Sequence, residues 1–198
     1  MTNFPLVILA AGNSSRMGTS KALLPWMKST LINELVDKYL QLNQDVIVVS
    51  GSNNKALLNQ HLQTSHIIEN INYEQGMGKS IAVGVNYVQS HFPKAKGVFI
   101  LTVDQPFIPL SHLKNMLAAF KYNTIVVSSS ERGYSGIPSL FSFTYFEELA
   151  ALDDDQGAKP VCFKHKTQLE LVQTAHEDLD DMDTPEKYQI LKERLNLQ

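Results

Sequence analysis

The stretch LAAGNSSRMGTSK, from Leu9 to Lys21, holds two glycines, three serines, one arginine and one lysine, and no acid. Gly12 and Gly18 carry no Cβ and reach positive φ readily, so backbone N–H groups on either side can close around an anion. Arg16 offers a planar fork that matches phosphate oxygens, and Lys21 offers a point charge. These residue types, in this order, read as a phosphate cradle. The plainer alternative is a polar surface loop with both cations solvated.

The acid missing from that loop stands elsewhere. The run 97-GVFILTV-103 ends in 104-DQPFIP-109, placing Asp104 at the carboxyl edge of a strand, where Pro106 and Pro109 end pairing and stiffen the turn. By itself Asp104 is equally a turn residue. Beside a bound triphosphate, however, a carboxylate needs a cation between the two anions, and Mg²⁺ typically takes one or two carboxylates together with phosphate oxygens. Mg²⁺ is therefore the expected cofactor. A second carboxylate is sought in 177-EDLDDMDTPEKY-188, where Asp181 and Asp183 lie nearest the helix start at Thr184-Pro185. Alternatively, this is a solvated acidic turn favouring a helix N-terminus. In 75-QGMGKS-80, Gly76 and Gly78 permit close approach of a base or ribose, and Ser80 reads as a helix cap.

Several familiar motifs fail. A dinucleotide fingerprint needs glycine where Ser14 stands, and a P-loop ending at 78-GKS-80 needs it at Tyr73. The serine-hydrolase elbow breaks at Ile137 in 133-GYSGI-137, and the six histidines show no HExxH spacing.

The elements that must position these residues follow from apolar patterning. The runs 6-LVILA-10, 45-DVIVVS-50, 66-HIIEN-70, 97-GVFILTV-103 and 124-TIVVSS-129 read as strands. Their near-continuous Val/Ile/Leu content suits strands covered on both faces. Helical periodicity fits Thr30 to Leu42, Ser80 to Val88, Ser111 to Phe120, Phe143 to Leu152 and Pro185 to Leu195, the last capped by Thr184. Gly133, Gly136 and Pro138 read as a turn, and 169-LELV-172 as a late strand. The expected fold class is α/β, a three-layer Rossmann-like sandwich with a mostly parallel central sheet. In such sheets ligands bind outside the carboxyl ends of the strands, where the Leu9–Lys21 loop and Asp104 both fall.

With 198 residues, 43% of them hydrophobic, the chain can bury one substantial core, and residues 1–198 are expected to form a single domain. A net charge of -3 argues against nucleic acid as a partner, since backbone phosphate contacts need clustered Lys and Arg. The lone Cys162 excludes an intramolecular disulfide and fits a reducing, cytoplasmic setting. No apolar run approaches the roughly 20 residues that span a bilayer, so no membrane association is expected.

Taken in order, LAAGNSSRMGTSKALLP, GMGKS, DQPFIP, GIPSLF, DDQGAK and DMDTPE resemble the molybdenum-cofactor nucleotidyltransferases, most closely their cytidylyltransferase branch. The resemblance covers almost the whole chain. It implies transfer of CMP from CTP to the terminal phosphate of molybdopterin, with Mg²⁺ and release of pyrophosphate, and a possible client molybdoenzyme as partner. By that likeness Leu9, Ala10, Ala11, Gly12, Gly76, Gly78 and Ser80 contact the nucleotide, Arg16 and Lys21 hold its phosphates, and Arg16, Lys21 and Asp104 are catalytic. Asp104 and Asp183 bind the metal, and Gly136 and Lys159 face the acceptor. LAAG and DQP mark the cytosine-selecting form. Two positions depart from the pattern: Ile137 stands where a polar residue is usual, and Lys159 where arginine is usual. The alternatives are a guanylyltransferase or sugar-phosphate nucleotidyltransferase of the same fold, or a non-catalytic cofactor-binding chaperone.

Overall fold

A computed structural model of the chain describes residues 3–12, 17–51, 54–58, 62 and 65–195. In chain order these form β1 (Leu6–Ala10), the short pair β2 (Pro25–Trp26) and β3 (Ser29–Thr30), α1 (Leu31–Leu40), β4 (Val46–Gly51), α2 (Lys55–Leu58) and β5 (Ser65–Asn70). There follow α3 (Met77–His91), β6 (Gly97–Thr102), α4 (Leu110–Ala119), β7 (Ile125–Ser130), β8 (Gly133–Ser142), α5 (Phe146–Ala150), α6 (Lys159–Lys164), β9 (Leu169–Gln173) and α7 (Pro185–Leu195).

Seven of the described strands make one sheet in the order β5-β4-β1-β6-β8-β7-β9. Only β8 runs antiparallel to its neighbours. Every residue of β1, β4 and β7 is buried, which explains their uninterrupted apolar character. Alternate side chains serve two cores. On one face Leu6, Ile8, Val46, Val48, Phe99 and Leu101 meet α1, α4 and α7 through Leu35, Tyr39, Met116 and Leu191. On the other, Val7, Ile47, Val49, Val98 and Ile100 meet α3, α5 and α6 through Ile81, Val85, Leu149 and Val161. At about 1.5–3 kcal/mol for each fully buried aliphatic side chain, these two layers are what hold the sheet between its helices.

From β1 the chain first builds outward through β4 to β5 and then returns to β6 on the other side of β1. The carboxyl ends of β1 and β6 therefore mark the point where winding reverses, and the loops leaving them diverge to leave a crevice.

Three local expectations need correction. The helix expected from Ser80 begins at Met77, because Gly76 at φ +108° breaks the preceding turn and takes the cap position itself. Ser80 is thus in the first turn, not at its cap. Residues 133–138 belong to strand β8, where the register against β7 shifts on either side of Ser128. Val127 pairs Ser139 and Ser128 pairs Gly136, so Ile137 and Pro138 are the inserted residues, and the missing proline N–H is needed by no partner strand. Finally, the hairpin β2–β3 and the six-residue α6 are too short to show a period in sequence.

Helix α3 lies unusually close to the sheet at Gly84, where an added Cβ would stand 2.5 Å from Val7 Cγ1 and 3.2 Å from Val49 Cγ2. Replacing a helical glycine by alanine normally gains up to about 1 kcal/mol. Here the strand side chains are fully packed, and overpacking costs about 1–3 kcal/mol. Gly84→Ala is therefore expected to lower the melting temperature, and a raised one would refute this account of the α3–sheet contact.

Candidate functional site

Leu9 and Thr102 are direct neighbours in the β1–β6 ladder, and the Val103 N–H extends it by donating to the Leu9 carbonyl at 3.1 Å. The two strands consequently release Ala11 and Gly12 on one side and Asp104 on the other at the same height. Lys21 opens a 3-10 turn, Lys21–Leu23, that is anchored by buried Ala22, Leu24 and Trp26. Its ammonium reaches back to the crevice, with Nζ 3.0 Å from Asp104 Oδ2 and 2.6 Å from Asp183 Oδ1.

Asp183 arrives from a distant part of the chain and is held by backbone contacts beside it. The Met182 N–H donates to the Asp104 carbonyl at 3.0 Å, and the Met182 side chain is fully buried. Gln105 braces the same arm: its Nε2 donates to the Leu179 carbonyl at 2.9 Å, while its Oε1 accepts the Thr102 hydroxyl at 3.2 Å. After Asp183, Thr184 Oγ1 accepts the Lys187 N–H at 3.3 Å, and Pro185 opens α7, as the cap pattern predicts. On the far side of the Asp104 turn, Lys38 Nζ donates to the Pro106 carbonyl at 3.1 Å.

These contacts enclose a cleft of about 610 Å³. Leu9, Ala10, Ala11 and Gly12 form one wall, Lys21, Asp104 and Asp183 the charged end, and Gly76 and Ser80 the opposite side. Tyr73, Glu74, Met77, Thr102 and Val103 also line it and were not singled out from sequence. Apart from the positions next to each motif, nothing in their spacing marks them. Arg16 lies outside the described residues. Gly136 sits in β8, and exposed Lys159 begins α6; neither is among the cleft's lining residues.

Gly78 is also absent from that lining. Its N–H donates to the Asp154 carbonyl at 2.8 Å, and a Cβ there would stand 2.7 Å from that oxygen. At Gly76 an added Cβ would meet Asp155 Cα at 2.5 Å. The closely approaching backbone at these two glycines is the 154–155 segment, which leads through Gly157 to Lys159. The motifs GMGKS and DDQGAK, far apart in sequence, are one packed unit.

Electrostatically, burial opposes the Lys21 charge, but the two carboxylates outweigh it and raise the ammonium's pKa. Among the described residues two acids face one base at this end of the cleft. Among the described residues no group of three or more His, Cys, Asp and Glu side chains is placed to hold a metal. Two carboxylates already converging on one cation suit a hard divalent ion that completes its shell with ligand oxygens. No described helix is long and apolar enough to cross a membrane.

Comparison with known proteins agrees with this fold. The family described as the MobA-like NTP transferase domain matches residues 6–169. The chain is 30% identical over 203 residues to "Purine catabolism protein PucB" of Bacillus subtilis (strain 168), covering 96% of both. Over 92 residues it is 35% identical to "Molybdenum cofactor cytidylyltransferase" of Escherichia coli (strain K12), 46% of this chain and 48% of the relative. A span of the same length is 34% identical to "Probable molybdenum cofactor guanylyltransferase" of Bacillus cereus (strain G9842), 46% of each chain. The crystal structure of Rv0371c from Mycobacterium tuberculosis H37Rv superposes with a TM-score of 0.82 at 27% identity, over 97% of this chain and 99% of that one.

Lys38, behind the Asp104 turn, has a measurable signature. Burial drives its ammonium down to about 8, with Asp178 opposing the shift. Between that value and the ordinary 10.5 the unfolded chain binds the extra proton, so this lysine makes stability rise with pH across the window. Lys38→Met should remove that rise when melting temperature is followed from pH 7 to 10.5 beside the wild type. Parallel curves for the two proteins would contradict the burial account.

Proposed function

The chain belongs to the MobA-like NTP transferase domain family, and we propose that it transfers CMP from CTP to the terminal phosphate of molybdopterin, releasing pyrophosphate, with Mg²⁺ as cofactor. The observation that carries this reading is the convergence of Asp104, Asp183 and Lys21 at the crevice between β1 and β6.

In this reading the triphosphate lies against Leu9 to Gly12, where backbone amides face it, and Arg16 and Lys21 hold its β- and γ-phosphates. Gly76 and Ser80 border the nucleoside. The acceptor's phosphate oxygen attacks the α-phosphorus in line; the new P–O bond forms as the bond to the pyrophosphate oxygen breaks. The attacking oxygen is already ionised, so no general base is required, and the work of the site is alignment and charge neutralisation. Asp104 and Asp183 would hold the Mg²⁺, which would supply positive charge to offset that developing on the phosphates. Lys21 pairs with both acids in the free protein and turns its amine to phosphate oxygens when the triphosphate arrives. That exchange keeps the pocket from holding two uncompensated carboxylates at any stage.

CTP is favoured over GTP because LAAG and DQP accompany the cytidylyl form. On the acceptor side, Gly136 and Lys159 border the molybdopterin phosphate, with Lys159 giving a point charge in place of a fork. The chain acts as one domain in the cytoplasm and passes its product to a molybdoenzyme. Ile137, whose side chain carries no polar atom beside Gly136, favours one second reading: a chaperone that binds the cofactor without modifying it.

Nucleotide-dependent stabilisation separates the two. At a hundredfold excess over Kd a ligand stabilises the folded state by about 2.7 kcal/mol, or roughly 5–10 °C in a chain of this size. CTP with Mg²⁺ is expected to give the largest rise among the four nucleoside triphosphates; a GTP maximum moves the reading to guanylyl transfer, and no rise with any of them supports the chaperone. Asp104→Asn should keep the wild-type melting temperature while lowering pyrophosphate release at least ~100-fold. Near-normal turnover in that variant would remove Asp104 from the mechanism.

A further inference from the structure

The cleft contains a polar pair that charge neutralisation leaves unexplained. Ser80 lines the cleft from the first turn of α3 and is 4% exposed. Behind it lies Asn70, the last residue of β5, at 1% exposure. Asn70 Nδ2 donates to Ser80 Oγ at 3.0 Å, and Asn70 Oδ1 accepts the Asn72 N–H at 2.9 Å.

The second bond fixes the first. A backbone N–H requires an acceptor, so the amide must point its oxygen at Asn72 and its nitrogen at Ser80. Ser80 is then obliged to accept from Asn70, and its own proton must be given elsewhere. No acceptor for that proton occurs among the described residues. A buried hydroxyl donor left without a partner is costly. The cleft's occupant is what can supply the acceptor.

We propose that Asn70 is a positioning residue that fixes Ser80 as a hydrogen-bond donor into the cleft, so that the nucleotide is recognised through an acceptor atom on the edge of its base. A keto oxygen or unprotonated ring nitrogen satisfies Ser80. An N–H at the same place can use only the hydroxyl's remaining lone pair and leaves the Ser80 proton without an acceptor, which is how a polar site discriminates. This inference rests on the reading of the cleft as a nucleoside triphosphate site.

Asn70→Asp tests it, because a carboxylate still accepts from Asn72 but now also accepts from Ser80, turning the hydroxyl away from the cleft. Binding of CTP and of ribose 5′-triphosphate, which has no base, is measured by calorimetry with Mg²⁺ for the wild type, Asn70→Asp, Ser80→Ala and the double variant. Asn70→Asp and Ser80→Ala should each weaken CTP roughly tenfold or more. The double variant should weaken it no further than Ser80→Ala does. Ser80→Ala should leave ribose 5′-triphosphate unaffected. Asn70→Leu is neutral and similar in size, and stands in if the buried carboxylate prevents folding; it should also weaken CTP while sparing ribose 5′-triphosphate. Unchanged CTP affinity in both Asn70 variants, additive losses in the double variant, or equal weakening of the two ligands by Ser80→Ala would overturn the proposal. A wild-type protein that binds neither ligand would instead defeat the nucleotide reading on which it stands.

Discussion

The ammonium of Lys21 lies 3.0 Å from Asp104 and 2.6 Å from Asp183, and this three-charge contact is the constraint around which the crevice is organised. Two carboxylates brought this close repel one another unless a cation lies between them. Lys21 supplies that cation, and the fold must bring all three groups to one place. The force doing so comes from neutral contacts: the buried Met182, the ladder-like bond from Met182 to the Asp104 carbonyl, and the Gln105 side chain gripping the Leu179 backbone. Hydrophobic burial and amide hydrogen bonds thus sustain an electrostatic arrangement that is unfavourable without a cation.

The same division of labour runs through the rest of the molecule. The sheet supplies rigidity because both faces are covered, and the two faces are covered because strand residues alternate between two sets of helices. One consequence is that β1 and β6 end level with each other. Another is that α3 must come close enough to the sheet at Gly84 to present its first turn, and Ser80, to the cleft. The glycines of that turn serve packing: Gly76 and Gly78 let the 154–155 backbone lie against them, tying the segment that leads to α6 to the first turn of α3. Two segments far apart in sequence are thereby coupled through backbone contact.

The sequence by itself determined the α/β class, the main strands and the longer helices, because a buried parallel strand must be apolar on both faces and an amphipathic helix must repeat its apolar side chains. It also determined the placement of Asp104, since an acid directly after a buried strand has only the carboxyl edge to occupy. Thr184 and Pro185 at the start of α7 were legible for a similar local reason. The glycines and proline of residues 133–138 misled, because the same residues that make a turn also make a bulge, and only the partner strand distinguishes them. Charge pattern leaves Asp181 and Asp183 both open and the family resemblance names Asp183; tertiary structure alone decided that Gly78 serves a loop instead of lining the cleft, and that Gln105 and Asn70 act on neighbours brought to them by folding. None of these follows a period or a spacing, since each depends on a contact between segments whose separation in the chain carries no information about their distance in space.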